Sequence, residues 1–345
     1  MRILQTMAGA EFGGAEAFFV RLAIALQKTD VEQKVIIREN RSRARLLRAG
    51  GVDPVELDFG GAFDFKTGFG IKREIKKLQP DVVLTWMNRA TKMTPAGKGK
   101  FVKVARLGGY YDLKYYKDCD HLIGNTQDIV DYLVKEGWPE DRAHYLPNFV
   151  NSERADAISR MDLSTPEDAP LLLSMGRLHE NKAFDTLLKA LARVPGVYLW
   201  LAGEGPLRRD LESLAEELGI RPRVRFLGWR EDTAALFAAS DVYICPSRHE
   251  PLGNVVLEGW AQGRPVIAAD SLGPGTLINH GDNGVLCPVD NDKAMADAIK
   301  WVFGDQEFAY KLATNGWNTF QNEFTEKVVV EKYLDFFDKV TKDNK

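Results

Sequence analysis

Short apolar runs alternate with helical segments along almost the whole chain, and this alternation limits the fold more than any other feature. Residues 2–7 read as a buried strand, a glycine-rich turn follows (Gly9-Ala10-Glu11-Phe12-Gly13-Gly14), and residues 17–26 carry helical apolar periodicity. Further strands are expected at 35–37, 81–84, 101–106, 121–123 and 143–146, with Asn125 or Thr126 capping a helix over 128–135. A polar stretch, 151–169, has no strand pattern and reads as a linker. The series then restarts, with strands at 171–174, 197–202, 224–229, 242–245, 266–269 and 284–286 and helices over 184–194 and 207–218. A last helix over 326–340 places Val329, Tyr333, Phe336, Phe337 and Val340 on one face. Strands separated by helices pair in parallel through right-handed crossovers. The fold class is therefore α/β, with two Rossmann-like, doubly wound parallel sheets in tandem. The expected domains are 1–160 and 161–325, with 326–345 a helix crossing back to the first. In such folds ligands sit beyond the C-terminal strand ends, so a cleft between the two domains is the expected site.

Length agrees, since 345 residues exceed what one core usually holds. The opening residues are too few and too polar for a signal peptide, and no apolar run reaches transmembrane length. Cys119, Cys245 and Cys287 are widely spaced, form no metal motif and suit a reducing compartment, so a cytoplasmic protein is expected. Charge is uneven. Residues 1–150 hold 24 Lys and Arg against 19 Asp and Glu, and the remainder 22 against 30. Arg38, Arg41, Arg43, Arg45 and Arg48 follow the second strand, and Lys72, Arg73, Lys76 and Lys77 repeat the theme. Such runs are solvated helix faces, or they draw the chain to an anionic membrane on the inner face of the plasma membrane, or to an anionic acceptor. Aromatic residues are not interleaved with them, so no nucleic-acid partner is expected.

Glu250 and Glu258 lie eight positions apart around Pro251-Leu252-Gly253. Pro251 disfavours helix for Glu250 but fits a first turn, so a helix is expected to begin near Pro251. The amides of Leu252, Gly253, Asn254 and Val255 would then form an anion site, with Gly253 leaving room for close approach. A phosphorylated ligand at the helix start and hydroxyls at the carboxylates fit this stretch. Spacing alone leaves two solvated glutamates open as the alternative.

Four motifs in order settle more than any one of them. They are Gly176-Arg177-Leu178 with Lys182, Gly203-Glu204-Gly205-Pro206-Leu207, the 250–258 stretch, and Gly263-Arg264-Pro265-Val266-Ile267-Ala268. Together they resemble glycosyltransferase family 4, the retaining, nucleotide-sugar-dependent enzymes of the two-Rossmann-domain GT-B architecture. The resemblance covers the whole chain and is strongest over 171–300. It implies a nucleotide-diphosphate sugar as donor substrate, no cofactor, and a saccharide or glycolipid acceptor such as a lipopolysaccharide core. Arg177 and Lys182 beside Gly176 would clamp the diphosphate, Glu250 would contact the transferred sugar, and Glu258 would take the ribose hydroxyls. Gly13 and Gly14 would approach a phosphate, and Trp229 is placed by its loop either against the base or simply in packing. No Asp-x-Asp metal motif fits, so these cations and the Gly253 helix end are expected to replace a metal. The chain departs from the family pattern where Gly108-Gly109-Tyr110 stand in place of a His, and where Thr276 stands in place of a Glu. Tyr110, Tyr111 and His121 are expected to pack in the core. An epimerase or phosphorylase of this fold, or a non-catalytic nucleotide-binding module, is the alternative reading.

Overall fold

A computed structural model describes residues 1–11, 13–61 and 64–343; Phe12, in the first glycine turn, lies outside them, as do the last two residues of the expected C-terminal helix. Two units result. The first holds residues 1–148 and the chain from Glu326 onward, the second 149–325. The break thus falls at Asn148/Phe149 and not near 160, because residues of the polar stretch attach to the second unit: Arg160 donates to the Ala239 carbonyl at 2.9 Å and to Asp241 at 2.7 Å.

The first unit runs β1 (Arg2–Met7), α1 (Gly14–Gln27), β2 (Glu32–Arg38), α2 (Arg41–Ala49), β3 (Val55–Leu57), α3 (Phe65–Leu78), β4 (Val82–Trp86), α4 (Met87–Met93), β5 (Val102–Leu107), β6 (His121–Gly124), α5 (Gln127–Lys135) and β7 (Ala143–Tyr145). Its strands order as β3-β2-β1-β4-β5-β6-β7, all parallel. Burial on both faces explains the near-continuous apolar run of β4, while β1 and β5 are as buried but carry Gln5, Thr6, Lys103 and Arg106 inside. The three-residue edge strand β3 carries too little pattern to be read from sequence. Thr126 caps α5, its hydroxyl accepting the Ile129 N–H at 3.3 Å.

The second unit runs β8 (Leu171–Met175), α6 (Phe184–Ala192), β9 (Tyr198–Ala202), α7 (Arg208–Glu217), β10 (Val224–Gly228), α8 (Thr233–Ala239), β11 (Val242–Cys245), α9 (Asn254–Ala261), β12 (Val266–Ala269), α10 (Leu272–Leu277), β13 (Val285–Cys287), α11 (Asp292–Gly304) and α12 (Gln306–Glu323). Six parallel strands order as β10-β9-β8-β11-β12-β13. The order reverses between β1 and β4 in one unit and between β8 and β11 in the other. Beyond the C-terminal ends of those pairs the two loops diverge and leave a crevice.

The last helix, α13 (Glu326–Asp343), packs in the first unit. Val329, Tyr333, Phe336, Phe337 and Val340 are all buried, and the Tyr333 hydroxyl accepts from Arg106 Nε at 3.0 Å. Buried Arg106 has its guanidinium 4.6 Å from the Phe18 ring centre and 4.8 Å from that of Trp86, so aromatic faces share in balancing its charge.

Candidate functional site

The second unit builds its site where β8, β9 and β11 end. Backbones approach there closely enough to demand glycine. Gly203 has φ +142°, and a Cβ on it would lie 1.9 Å from the Gly176 carbonyl oxygen. The Gly203 N–H donates to Gly228 at 2.7 Å and the Gly176 N–H to Ala202 at 3.0 Å, tying three strand ends together. From this base the chain leaves β8 through Gly176 and Arg177, makes a single helical turn at Glu180–Lys182, and enters α6. Arg177 is exposed, with no hydrogen bond or ion pair among the described residues.

Lys182 turns inward. Its ammonium donates to Glu250, whose side chain is only 10% exposed. Burial lowers the Lys182 pKa, but the Glu250 carboxylate, with Cys245 and Glu258 further off, more than offsets this and raises it. Lys182 is therefore held in its charged form. Glu250 itself follows β11, and the neighbouring His249 N–H donates to the Asn181 carbonyl at 3.2 Å, joining the β8 and β11 loops. Arg248 is structural: it reaches Asp185 at 2.8 Å and Asp290 at 2.6 Å.

The helix after Glu250 starts later than its proline suggests. Pro251 and Leu252 form a bend, Gly253 is the cap with φ +63°, and α9 begins at Asn254. The first bond inside the turn is Val256 N–H to Gly253 at 2.9 Å, so α9 starts its own hydrogen bonding only there. The reason for Gly253 also changes. The space its side chain would fill is occupied by Leu277, at 2.6 Å, and Gly273, at 3.1 Å, so the glycine serves the left-handed cap and the packing of α10, not the approach of an anion. Glu258 sits half-buried on α9. Trp229, on the loop after β10, is 76% exposed, so no packing role holds it. Thr276 bonds its own helix at Gly273, 2.9 Å away. Ser271, at the end of β12, was not singled out by sequence; its buried hydroxyl has no partner among the described residues. Its position between the end of β12 and the start of α10 was the only signal.

In the first unit the glycine turn is filled from within. Glu16 folds back so that its Oε1 accepts the Ala10 N–H at 2.7 Å, and its carboxylate occupies the space a Gly13 side chain would need. Gly13 is extended and Gly14 opens α1. A phosphate drawn close to this turn would meet a carboxylate. The arginine run is likewise divided. Arg43 is buried and donates to the Ala10 carbonyl, Arg48 pairs with Asp53 at 3.2 Å and Glu56 at 3.0 Å, and Arg38, Arg41 and Arg45 remain exposed. Tyr110 is 44% exposed and not in the core; its hydroxyl donates to Asp128, and burial with that carboxylate pushes it up to about 12. Tyr111 is half-buried. His121 Nδ1 lies 3.0 Å from His144 Nε2, and the His144 ring packs 4.7 Å from Phe336. Burial first, then His121 and Lys339, push His144 down to about 4.

The family model described as Glycosyltransferase Family 4 matches residues 12–154, and that described as Glycosyl transferases group 1 matches 156–319. The lipopolysaccharide core biosynthesis glycosyltransferase LpsE of Rhizobium meliloti is 40% identical over 325 residues, covering 93% of this chain and 95% of that protein. LpsD of the same organism is 36% identical, covering 98% of each. Among solved structures, a glycosyltransferase from Rickettsia africae superposes with a TM-score of 0.86 at 20% identity, covering 98% of each chain. HepE of Anabaena, solved with UDP and glucose, gives 0.82 at 20% identity, covering 98% of this chain and all of that one. These likenesses agree with the two sheets in placing the fold in the GT-B class. At 40% identity over nearly the full length of both proteins, the chain belongs to the group 1 glycosyl transferases, glycosyltransferase family 4.

Proposed function

We propose that the chain is a retaining glycosyltransferase that moves a sugar from a nucleotide-diphosphate sugar to a saccharide or glycolipid acceptor in lipopolysaccharide core synthesis. One observation carries the chemistry: an exposed Arg177 and the part-buried Lys182–Glu250 pair follow the β8 and β11 strand ends, which are neighbours in the sheet. In this reading Arg177 and Lys182 take the diphosphate, whose charge grows as the glycosidic bond breaks, and the α9 amides add dipoles of the same sense. The leaving phosphate accepts the acceptor's proton on the face it departs from, which preserves the anomeric configuration. Glu250 orients the sugar and favours positive charge at its anomeric carbon, while Glu258 holds the ribose. Cations and helix amides do the work of a metal here, so turnover needs none. The names of the LpsE and LpsD relatives support the pathway. Exposed Arg41 and Arg45, with Lys76 and Lys77 on α3, support peripheral attachment to an anionic cytoplasmic membrane face. Among the described residues no helix is long and apolar enough to cross a membrane.

A panel of nucleotide sugars with and without a saccharide acceptor, in EDTA, tests the proposal. One donor should be consumed only with acceptor, and NMR should find the donor's anomeric configuration kept. Arg177→Ala should cut turnover by about 10²–10³, the usual cost of removing a partner of developing negative charge. Activity within about threefold of wild type would remove the diphosphate assignment, and activity restored only by Mg²⁺ or Mn²⁺ would remove metal independence.

A further inference from the structure

In the second sheet β11 lies between β8 and β12, and the loop that follows it is held from both sides. On the β8 side, the His249 N–H donates to the Asn181 carbonyl at 3.2 Å, in the single turn that also carries Lys182. On the β12 side, the Gly273 N–H donates to the Glu250 carbonyl at 2.7 Å. Pro251, next in the chain, brings no donor of its own.

Gly273 is buried in the first turn of α10. A Cβ on it would lie 2.4 Å from the Gly253 nitrogen, 2.7 Å from the Glu250 carbonyl oxygen and 2.7 Å from the Leu252 carbonyl carbon. All three are backbone atoms, so no side chain can swing aside to make room. Gly253 meets it from above, since its own Cβ would stand 3.1 Å from the Gly273 carbonyl carbon. Two glycines thus let two main chains cross in contact.

The lower chain is the stiffer one. The Asp270 N–H donates to Cys287 at 2.8 Å, the Ser271 N–H to Ala269 at 2.7 Å and the Gly275 N–H to Ser271 at 2.8 Å, and Pro274 has its φ fixed by its ring. The upper chain is a bend at Pro251 and Leu252. A side chain at 273 would therefore be relieved by lifting the bend, which carries Glu250 with it and leaves Lys182 behind. Ordinary contact begins at 3.4 Å, so relief takes about 1 Å, a displacement that costs about 10²-fold in rate when it reaches a reacting group.

We propose that Gly273 is a positioning residue for glycosyl transfer, seating the loop so that the Glu250 carboxylate is held against Lys182. This rests on the reading of Glu250 as the residue that orients the sugar. Gly275 is the control within the same helix: its Cβ would meet only the carboxylate of Asp270, at 2.5 Å, on an exposed side chain that can move.

Urea unfolding of the full chain tests the seat without any ligand. Lys182→Ala should raise the unfolding constant about a hundredfold in wild type and in Gly275→Ala, as a buried charge left unpaired does. In Gly273→Ala the lifted loop opens the pair to water, and the same change should count for about fivefold or less. A merely structural glycine would leave that factor at a hundredfold, because independent losses add, and that result would overturn the proposal. If Gly273→Ala does not fold, Leu277→Ala takes its place, since it removes the side chain lying against Gly253 without adding an atom, and the factor should shrink in the same way. Turnover of UDP-glucose, UDP-galactose and GDP-mannose with a saccharide acceptor gives the second readout, and the unfolding factor decides if none is turned over. Gly273→Ala should lower kcat about 10²-fold and add little to Glu250→Gln, while Gly275→Ala stays within about threefold of wild type. Equal losses in the two glycine variants, or losses that multiply with Glu250→Gln, would overturn the proposal. A Glu250→Gln variant as active as wild type would remove the sugar contact and this proposal with it, whereas an impaired Glu250→Gln beside a fully active Gly273→Ala would remove this proposal alone.

Discussion

The turn after β1 and the turn after β8 leave their strands alike and end with opposite charge. In the first, a carboxylate folds back onto the turn, Glu16 taking the Ala10 N–H at 2.7 Å. In the second, cations border it, Arg177 exposed and Lys182 paired with Glu250. The backbone motif provides a crevice in both units, and the side chain that returns to it differs, Glu16 in the first and Lys182 with Glu250 in the second. Gly13 and Gly14 therefore do not mark a phosphate site by being glycines. The cations of the first unit, Arg38 and Arg89, stand beyond the neighbouring strands, Arg89 donating to the Phe59 carbonyl at 2.9 Å.

The comparison can be broken at the glycines. Gly203→Ala, with φ +142° and backbone 1.9 Å from the new Cβ, should cost about 4 kcal/mol or more in urea unfolding. A loss under about 1 kcal/mol would mean the strand ends are not so tightly tied. At the ion pair, Lys182→Ala leaves Glu250 buried without its cation and should cost about 3 kcal/mol besides activity. Replacing both with Met and Leu should recover most of the stability and none of the turnover. If the single variant is as stable as wild type, the pair is not buried in solution.

Acid should separate the units. His144 has its pKa lowered from 6.5 to about 4, so its stabilising neutral form is fully present above pH 6.5. As pH falls from 6.5 through about 4, the unfolded chain takes up the proton first and stability is lost, on the order of 1–2 kcal/mol after discounting partial exposure. Hydrogen exchange should show α13, β6 and β7 losing protection over that window before β8 and β11 do, and His144→Gln should flatten the change. The smallest effect belongs to Gly13→Ala. Its extended backbone suits any residue, and the new methyl meets only the movable end of Glu16, so about 1 kcal/mol or less is expected.

Most of the sheet was legible because parallel strands buried on both faces leave continuous apolar runs, as in Val82–Trp86 and Leu171–Met175. The three-residue edge strand Val55–Leu57 was not, since its pairing depends on β2 rather than on its own pattern. Arg177, Lys182, Glu250 and Glu258 stood out through motif order, and the structure brings Lys182 against Glu250. The onset of α9 was misread because Pro251 favours a first turn locally, while Gly253 and its packing on Leu277 fix the real cap. Folding-back could not be read at all. Nothing in the spacing of Glu16 or Arg43 says that both turn inward to Ala10. The Arg89 contact with the Phe59 carbonyl could not be read either, because it depends on positive φ at Phe59 and Met87.

The central claim is that the donor diphosphate is held by the cation-bordered turn of the second unit and not by the carboxylate-filled turn of the first. Calorimetric titration of wild type, Arg177→Ala and Glu16→Gln with UDP, GDP and ADP tests this directly. The account requires one nucleotide to bind wild type, to weaken about tenfold or more in Arg177→Ala, and to change by no more than about twofold in Glu16→Gln. Unchanged affinity in Arg177→Ala, or a tenfold change in Glu16→Gln, would contradict it.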